Sequence, residues 1–355
     1  MPRKASARCW KNGRQSLPAA DSLDQSHVGY RKHTTVLDWT NAEEKVTVQA
    51  PTVSSDRKHR RRILRTTAPL PRRLRTKVRK HLLTRLQQRM ARNADVLFVR
   101  HPKTGGTWLR VLLTSLYSQK YGLSTRRVVR SDELHLQQAG LPKLLISSGY
   151  FSWERWLGEA AQSDPWLADK RLLILARHPC DVVVSWFIQF TRRTKAFKRE
   201  LLLAEMRQPF DPSRISLEDF VIHPEIGLPA IIAQYNYWAE RLSAFERHLI
   251  IRYEDLRSDT TASLAVLASF LGENFTDAEL QQAMQFGSVT NLRKLEQDGY
   301  FDNRSLRLRD RADPNLLKVR RARVGGYRED LPADIADELQ RRVVETMNPI
   351  YGYSA

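Results

Sequence analysis

Cysteine is scarce in this chain of 355 residues, where Cys9 and Cys180 are the only two. A disulfide framework is therefore excluded, and a reducing, cytoplasmic compartment is expected. Long hydrophobic runs are also missing, since no stretch approaches the roughly 18 apolar residues of a transmembrane helix. Because residues 1–17 contain no apolar segment, we expect no secretory signal either.

Acidic residues are few in the first quarter of the chain. The whole sequence holds 59 Lys and Arg against 39 Asp and Glu, for a net charge of +20. Residues 1–92 contain 23 of the basic and 6 of the acidic residues, and so carry +17 of that charge. The sequence thus predicts a strongly basic N-terminal part ahead of a nearly neutral body.

This basic part divides into two segments. Residues 1–56 follow neither the period of a helix nor that of a strand and are predicted to be disordered or poorly packed. Residues 57–93 are predicted to form a basic amphipathic helical segment. From Pro71 onward an apolar residue recurs at every fourth position, at Leu74, Val78, Leu82 and Leu86. The segment either packs its apolar stripe on the body or binds an anionic membrane surface or nucleic acid.

A glycine-rich turn follows the apolar run at residues 96–99, which is predicted to be a buried parallel strand. The turn is His-Pro-Lys-Thr-Gly-Gly-Thr-Trp over residues 101–108, and apolar residues at helical spacing come after it. Strand, turn and helix in this order direct backbone N–H groups at an anion, to which Lys103 adds a positive charge. A simple turn with a solvent-facing lysine is the alternative. In the common P-loop the lysine follows the glycines and precedes a magnesium-binding hydroxyl, so we expect this turn to bind its anion without metal.

A second cationic position lies at the end of the apolar run at residues 172–176, where Arg177 follows directly. In parallel sheets ligands bind beyond the carboxyl ends of the strands, and the planar guanidinium suits a phosphate. The alternative is a structural pair between Arg177 and Asp181, which is also predicted to cap the next helix. Near the C-terminus the basic stretch 318–328 either closes over an anionic ligand or forms a flexible loop.

In their order along the chain these motifs resemble the sulfotransferase family that uses 3′-phosphoadenosine 5′-phosphosulfate (PAPS). HPKTGGTW at 101–108 resembles the 5′-phosphosulfate loop, and RHPCDVVVS at 177–185 resembles the 3′-phosphate motif. RYEDL at 252–256 resembles the adenine-side tyrosine segment, and RRARVGGYR at 320–328 the C-terminal 3′-phosphate loop. The resemblance implies a single α/β domain over residues 94–355, with a central parallel sheet flanked by helices and a P-loop-like nucleotide site.

The resemblance also implies a role for each matching residue. Lys103 contacts the 5′-phosphosulfate and its bridging oxygen. The 5′-phosphate is cradled by Thr104, Gly105, Gly106 and Thr107. The adenine side is formed by Trp108 and Tyr253, with a further contacting stretch at residues 286–289. The 3′-phosphate is held by Arg177, Ser185, Arg320 and Arg321.

The implied reaction moves a sulfuryl group from PAPS, as co-substrate, to a hydroxyl or amine by in-line displacement without metal. The family commonly has a histidine as base right after a short apolar run, which corresponds here to residues 144–146, but Ser-Ser-Gly follows in this chain. Three explanations remain open: Glu154 is the base, His135 is the base, or the protein binds the nucleotide with lost or weak catalysis. A nucleotide kinase, which would need Mg²⁺, is the alternative from another class. The acceptor is unidentified, and the aromatic and basic residues of 186–215 favour an acidic or sugar-like one.

Overall fold

The structure, a computed structural model, describes residues 55–126, 135–136, 138–151, 153–301 and 323–353, without the side chains of 161 and 162. Residues 1–54, which make up almost all of the predicted disordered tail, lie outside the described residues. So do Arg320 and Arg321, and the sequence expectations for them stay predictions.

Four parallel strands form the central sheet: β1 (Val96–Arg100), β2 (Leu144–Ser147), β3 (Arg171–Ala176) and β4 (Arg247–Arg252). Their order is β2-β1-β3-β4, with Val96 in register with Leu144 on one side and with Arg171 on the other. Continuous apolar runs are typical of parallel strands buried on both faces, and the runs noted in the sequence at residues 96–99 and 172–176 lie in β1 and β3. The predicted α/β fold with a central parallel sheet is confirmed, and all four carboxyl ends lie at one edge.

Helices cover both faces of this sheet. Leu97 and Val99 pack into one hydrophobic cluster, and Val96 and Phe98 pack into another on the opposite face. Within the described ranges, none of the helices combines the length and the apolar composition needed to cross a membrane. The helices are α1 (Ser55–Thr66), α2 (Arg72–Arg92), α3 (Gly106–Tyr121), α4 (Trp156–Ser163), α5 (Pro179–Ile188), α6 (Ala196–Leu203), α7 (Leu217–Ile222), α8 (Leu228–Ala239), α9 (Tyr253–Ser258), α10 (Thr260–Leu271), α11 (Asp277–Phe286), α12 (Val289–Gln297), α13 (Tyr327–Asp330) and α14 (Ala333–Thr346).

The helix predicted from Pro71 onward is α2, but its buried face differs from the predicted stripe. Leu83 and Leu86 are buried, whereas Leu74 is 49% exposed. In a helix of about 3.6 residues per turn, each step of four residues drifts by roughly 40° around the axis. Residues three such steps apart, such as Leu74 and Leu86, therefore face different sides of the helix. Arg79 occupies part of the buried face instead.

Arginines of α2 attach this helix to α6. Arg75 and Arg79 both form ion pairs with Glu200 of α6, the second at 2.9 Å. Arg79 also donates a hydrogen bond from Nε to Thr67 Oγ1 at 2.8 Å. Two further ion pairs join Lys80 to Glu205 and Arg89 to Asp56. Much of the inward-facing positive charge of α2 is thus matched by carboxylates.

Candidate nucleotide site and active site

The loop between β1 and α3 is tightly folded around its own backbone. The Thr104 N–H and hydroxyl both donate to the His101 carbonyl, at 3.4 and 3.0 Å. Lys103 has a φ of 83°, in the left-handed region that residues with a side chain seldom adopt. Such strain is concentrated at functional sites, where surrounding contacts hold it in place.

Both glycines of the loop are required by close packing. A Cβ on Gly105 would lie 2.5 Å from Cδ2 of Tyr253, and the residue has a φ of 92°. A Cβ on Gly106 would overlap the side chain of Arg100. The two glycines therefore let the first turn of α3 sit directly against Tyr253 and Arg100.

Trp108 and Tyr253 form an aromatic wall beside the loop. Their ring centroids lie 5.6 Å apart in an edge-to-face arrangement. The Trp108 indole N–H donates to the Gly287 carbonyl at 2.8 Å, which fixes the ring. The stretch 286–289, expected on the adenine side, thus lies against the same wall.

Arg177 brings the second cationic motif next to the first. Its Nη1 donates to the Lys103 carbonyl at 3.5 Å, and its guanidinium carbon lies 4.5 Å from the centre of the Tyr253 ring. Its Nη2 donates to the Arg323 carbonyl at 2.9 Å and lies 3.4 Å from Asp181. The structural pair with Asp181 is therefore present, and the guanidinium also donates to two backbone carbonyls, which carry no net charge to offset its own.

Asp181 does not cap α5, so that sequence prediction was wrong. The helix begins at Pro179 with His178 in the cap position, since a proline fits the first turn where its missing N–H costs nothing. Asp181 is buried and instead accepts hydrogen bonds from the N–H groups of Gly325 and Tyr327, at 2.9 and 3.2 Å. It thereby anchors the described end of the C-terminal basic stretch beside Arg177.

Ser185 lies on α5 one turn after Asp181 and is half-buried. Two residues at this edge were missed by the sequence analysis. The Tyr235 hydroxyl accepts a bond from the Arg177 N–H at 3.2 Å and lies 3.1 Å from the Arg177 carbonyl. Glu254 accepts from the His178 N–H at 2.9 Å. Glu254 could have been noticed within the RYEDL motif, whereas no local pattern marks Tyr235.

Glu154 lies at the carboxyl end of β2, next to β1. It is 7% exposed, and one carboxylate oxygen accepts from the Ser148 N–H at 2.6 Å and from the Ser148 hydroxyl at 2.5 Å. The Ser147 hydroxyl donates to the same oxygen at 3.3 Å. Hydrogen bonds from described residues reach only this oxygen, Oε2. The carboxylate therefore anchors the turn after β2 while its Oε1 stays available.

Two histidines flank this region. His101 is fully buried, with edge-to-face contacts to Tyr150 and Trp186 at centroid distances of 5.0 and 5.7 Å. Burial lowers the pKa of His101 to about 3, so the ring is neutral at neutral pH and serves packing. His135 is half-buried in a short helical turn that follows the undescribed residues 127–134, and its role as a base stays a prediction.

A sequence model of the sulfotransferase domain matches residues 93–350, which is more than half of the chain. The chain belongs to the sulfotransferase family. The resemblance found in the sequence is thereby confirmed, and with it the assignment of the protein as an enzyme that transfers sulfuryl groups.

Named relatives of this sulfotransferase come from animals and plants. An amine sulfotransferase of Oryctolagus cuniculus is 20% identical over 284 residues, which cover 77% of this chain and 87% of the relative. Cytosolic sulfotransferase 14 of Arabidopsis thaliana is 43% identical over 227 residues, which cover 57% of this chain and 62% of the relative. Among solved structures, a mouse sulfotransferase complexed with PAP is 17% identical with a TM-score of 0.48, covering 74% of this chain and 89% of that one.

Proposed function

We propose that this sulfotransferase transfers the sulfuryl group of PAPS to a hydroxyl or amine of an acceptor, and that it needs no metal. The observation that carries the proposal is the contact between the two cationic motifs, in which Arg177 donates to the carbonyl of Lys103. One ligand with an anionic group at each end of an adenosine fits two neighbouring cationic positions with an aromatic wall beside them.

Each part of the donor has a matching group at this edge. The adenine lies against Trp108 and Tyr253, whose wall is held by the Trp108 bond to Gly287. The 5′-phosphate lies at the N-terminus of α3, cradled by Thr104, Gly105, Gly106 and Thr107. The 3′-phosphate is bound by Arg177 and Ser185 and, from the undescribed stretch, by Arg320 and Arg321.

The chemical step is an in-line displacement at sulfur. The acceptor oxygen or nitrogen bonds to sulfur while the bond to the bridging oxygen breaks, and that oxygen leaves with the electron pair on 3′-phosphoadenosine 5′-phosphate (PAP). Lys103 stabilises the charge that develops on the leaving oxygen. The left-handed backbone at Lys103 sets the direction in which its Cα–Cβ bond leaves the loop.

We propose that Glu154, rather than His135, is the base that takes the proton from the acceptor. The carboxylate belongs to the segment after β2, the strand next to β1, and has one oxygen outside the bonds to Ser147 and Ser148. That arrangement orients the carboxylate and leaves Oε1 to take a proton. The assignment predicts that Glu154→Gln lowers kcat far more than PAP affinity, whereas His135→Gln leaves kcat unchanged.

For the acceptor we propose an acidic or sugar-like molecule, because the segment 186–215 is rich in basic residues that attract an anion. The Phe151 and Trp153 rings stack at a centroid distance of 4.7 Å and are buried, so they belong to the core. We also propose a cytoplasmic location, as expected from the scarcity of cysteine.

The test combines binding and transfer on the full chain. Calorimetry should show PAP binding that EDTA does not change, and incubation with sulfur-labelled PAPS and a panel of acidic, phenolic and amine acceptors should label one class. Strong dependence on Mg²⁺ would favour the nucleotide kinase and contradict the proposal. PAP binding without labelling of any acceptor would favour a nucleotide-binding protein with lost catalysis.

A further inference from the structure

Arg100, the last residue of β1, carries a guanidinium group at an unusual position beneath the loop. Its side chain packs directly against the Cα of Gly106, at the first turn of α3. The residue is half-buried, and its Nε is fully buried without a hydrogen-bond partner. Across the described residues, the Arg100 side chain forms neither a hydrogen bond nor an ion pair.

A guanidinium in this state is costly for the folded protein. Removing a cation from water without giving it a partner is unfavourable, and burial lowers the pKa of Arg100, opposed only by the charge of Glu154. The neighbouring Arg110, by contrast, donates to the Gly106 carbonyl at 3.1 Å and to the Thr107 hydroxyl at 3.3 Å. Two arginines therefore contact the same glycine, and only Arg110 has hydrogen-bond partners there.

The strand order indicates which part of a ligand Arg100 would meet. Tyr253 and Arg177 follow β4 and β3, so the adenosine and its 3′-phosphate lie on that side of β1. Glu154, the carboxylate whose charge Arg100 senses, belongs to the segment after β2, on the other side of β1. A donor that crosses the loop from β3 toward β2 points its terminal sulfuryl group at Arg100 and Glu154.

We propose that Arg100 binds the non-bridging oxygens of the transferring sulfuryl group, an inference that rests on the proposed function. As the acceptor attacks, its proton passes to Glu154 and the electron pair of the broken bond goes to the bridging oxygen at Lys103. Arg100 stays protonated throughout and neutralises the sulfonate oxygens between these two groups. Arg100 thus obtains a counter-charge when PAPS binds and not when PAP binds, because PAP lacks the sulfuryl group.

The comparison of PAPS with PAP isolates this contact. With the full chain, Arg100→Met should bind PAP as the unchanged protein does, but should bind PAPS about 10- to 100-fold more weakly, the range expected for a lost charge-assisted hydrogen bond. Arg100→Lys keeps the charge and should recover part of the PAPS affinity. The rate of transfer at saturating donor should fall further in Arg100→Met than in Arg100→Lys, and kcat should change more than the KM for the acceptor.

Stability of the ligand-free protein separates this role from a structural one. Because Arg100 has no hydrogen-bond or ion-pair partner in the described ranges, Arg100→Met should leave the melting temperature unchanged or raise it, whereas the matched Arg110→Met should lower it. The inference is wrong, and the residue is structural, if two results are found together. Arg100→Met fails to fold or has a lower melting temperature, and Arg100→Lys binds PAP and PAPS with equally reduced affinity. If the ratio of PAPS affinity to PAP affinity is the same in all variants and transfer is intact, only the proposed role of Arg100 is wrong. If the unsubstituted protein binds neither nucleotide, the proposed function is wrong as well.

Discussion

Two regions of this sulfotransferase are rich in positive charge, and they differ in how that charge is matched. On α2, Arg75 and Arg79 meet the carboxylate of Glu200 in α6, and Lys80 pairs with Glu205, just beyond the end of α6. At the carboxyl edge of the sheet, Arg100 has no such partner among the described residues. The density of basic residues therefore does not distinguish the two regions. What distinguishes them is that Arg177 shares the Asp181 carboxylate with two backbone N–H groups, while Arg100 has no partner among the described residues.

The difference also explains why the basic segment was ambiguous in the sequence. Arginines that form ion pairs between two helices and arginines that bind a ligand add the same charge to a count made from the sequence. The contact with α6 supports the packing role for one side of α2, while Arg72 and Arg73 are exposed. Contact of the basic N-terminal part with an anionic membrane surface or nucleic acid stays a prediction.

The largest effect should come from the donor edge. Lys103→Ala should lower kcat about 100- to 1000-fold, because one preorganised donor to the leaving oxygen is lost. The melting temperature should change little, since alanine keeps the same backbone strain at a φ of 83°. Steady-state kinetics and thermal unfolding measure both, and a loss of activity that only parallels a loss of stability would contradict the catalytic role.

Packing at the loop should give the next effect. Gly105→Ala should lower the free energy of unfolding by about 1–3 kcal/mol and weaken PAP binding, because the new methyl group meets the Tyr253 ring. Gly140→Ala is the matched control, with a φ of 93° and no atom within 4 Å of the added carbon. Urea unfolding and calorimetry compare the two, and equal losses would show that backbone conformation alone is responsible.

On α2 the expected effect is on stability without an effect on chemistry. Glu200→Gln leaves the buried Arg79 without its counter-charge and should cost about 1–3 kcal/mol in unfolding. Glu205→Gln should cost at most about 1 kcal/mol, since the side chain of its partner Lys80 is 50% exposed. Denaturant unfolding measures both. A reduced PAP affinity in the folded Glu200→Gln protein would break the distinction between the two basic regions.

The smallest effect should follow removal of residues 1–54. The cut precedes Ser55 because Asp56 of α1 pairs with Arg89 of α2. PAP affinity measured by calorimetry should stay the same, since every residue assigned to the donor lies at position 100 or later. A clear loss of affinity would mean that the N-terminal part contributes to the nucleotide site.

Local patterns were sufficient for the donor loop and for the sheet. The run at residues 96–99 and the glycines after it lie within one short stretch, so strand, loop and helix follow from contiguous residues. Arg177 was placed by the rule that ligands bind beyond strand ends. The α2 stripe was not predicted correctly, because a spacing of four residues drifts around a helix and packing against α6 selected another face.

The sequence by itself determined the family and the parallel sheet and predicted the main donor residues, because each depends on residues close together in the chain. Only the tertiary structure decided that Asp181 holds residues 325 and 327, that Glu154 is tied to Ser148, and that Arg100 has no partner within the part of the chain that the structure describes. Hydrogen bonds and ion pairs join groups that can lie more than a hundred residues apart. Whether a charged side chain has a partner of opposite charge within the protein or is left to bind a ligand therefore depends on the fold of the whole chain and not on any local pattern.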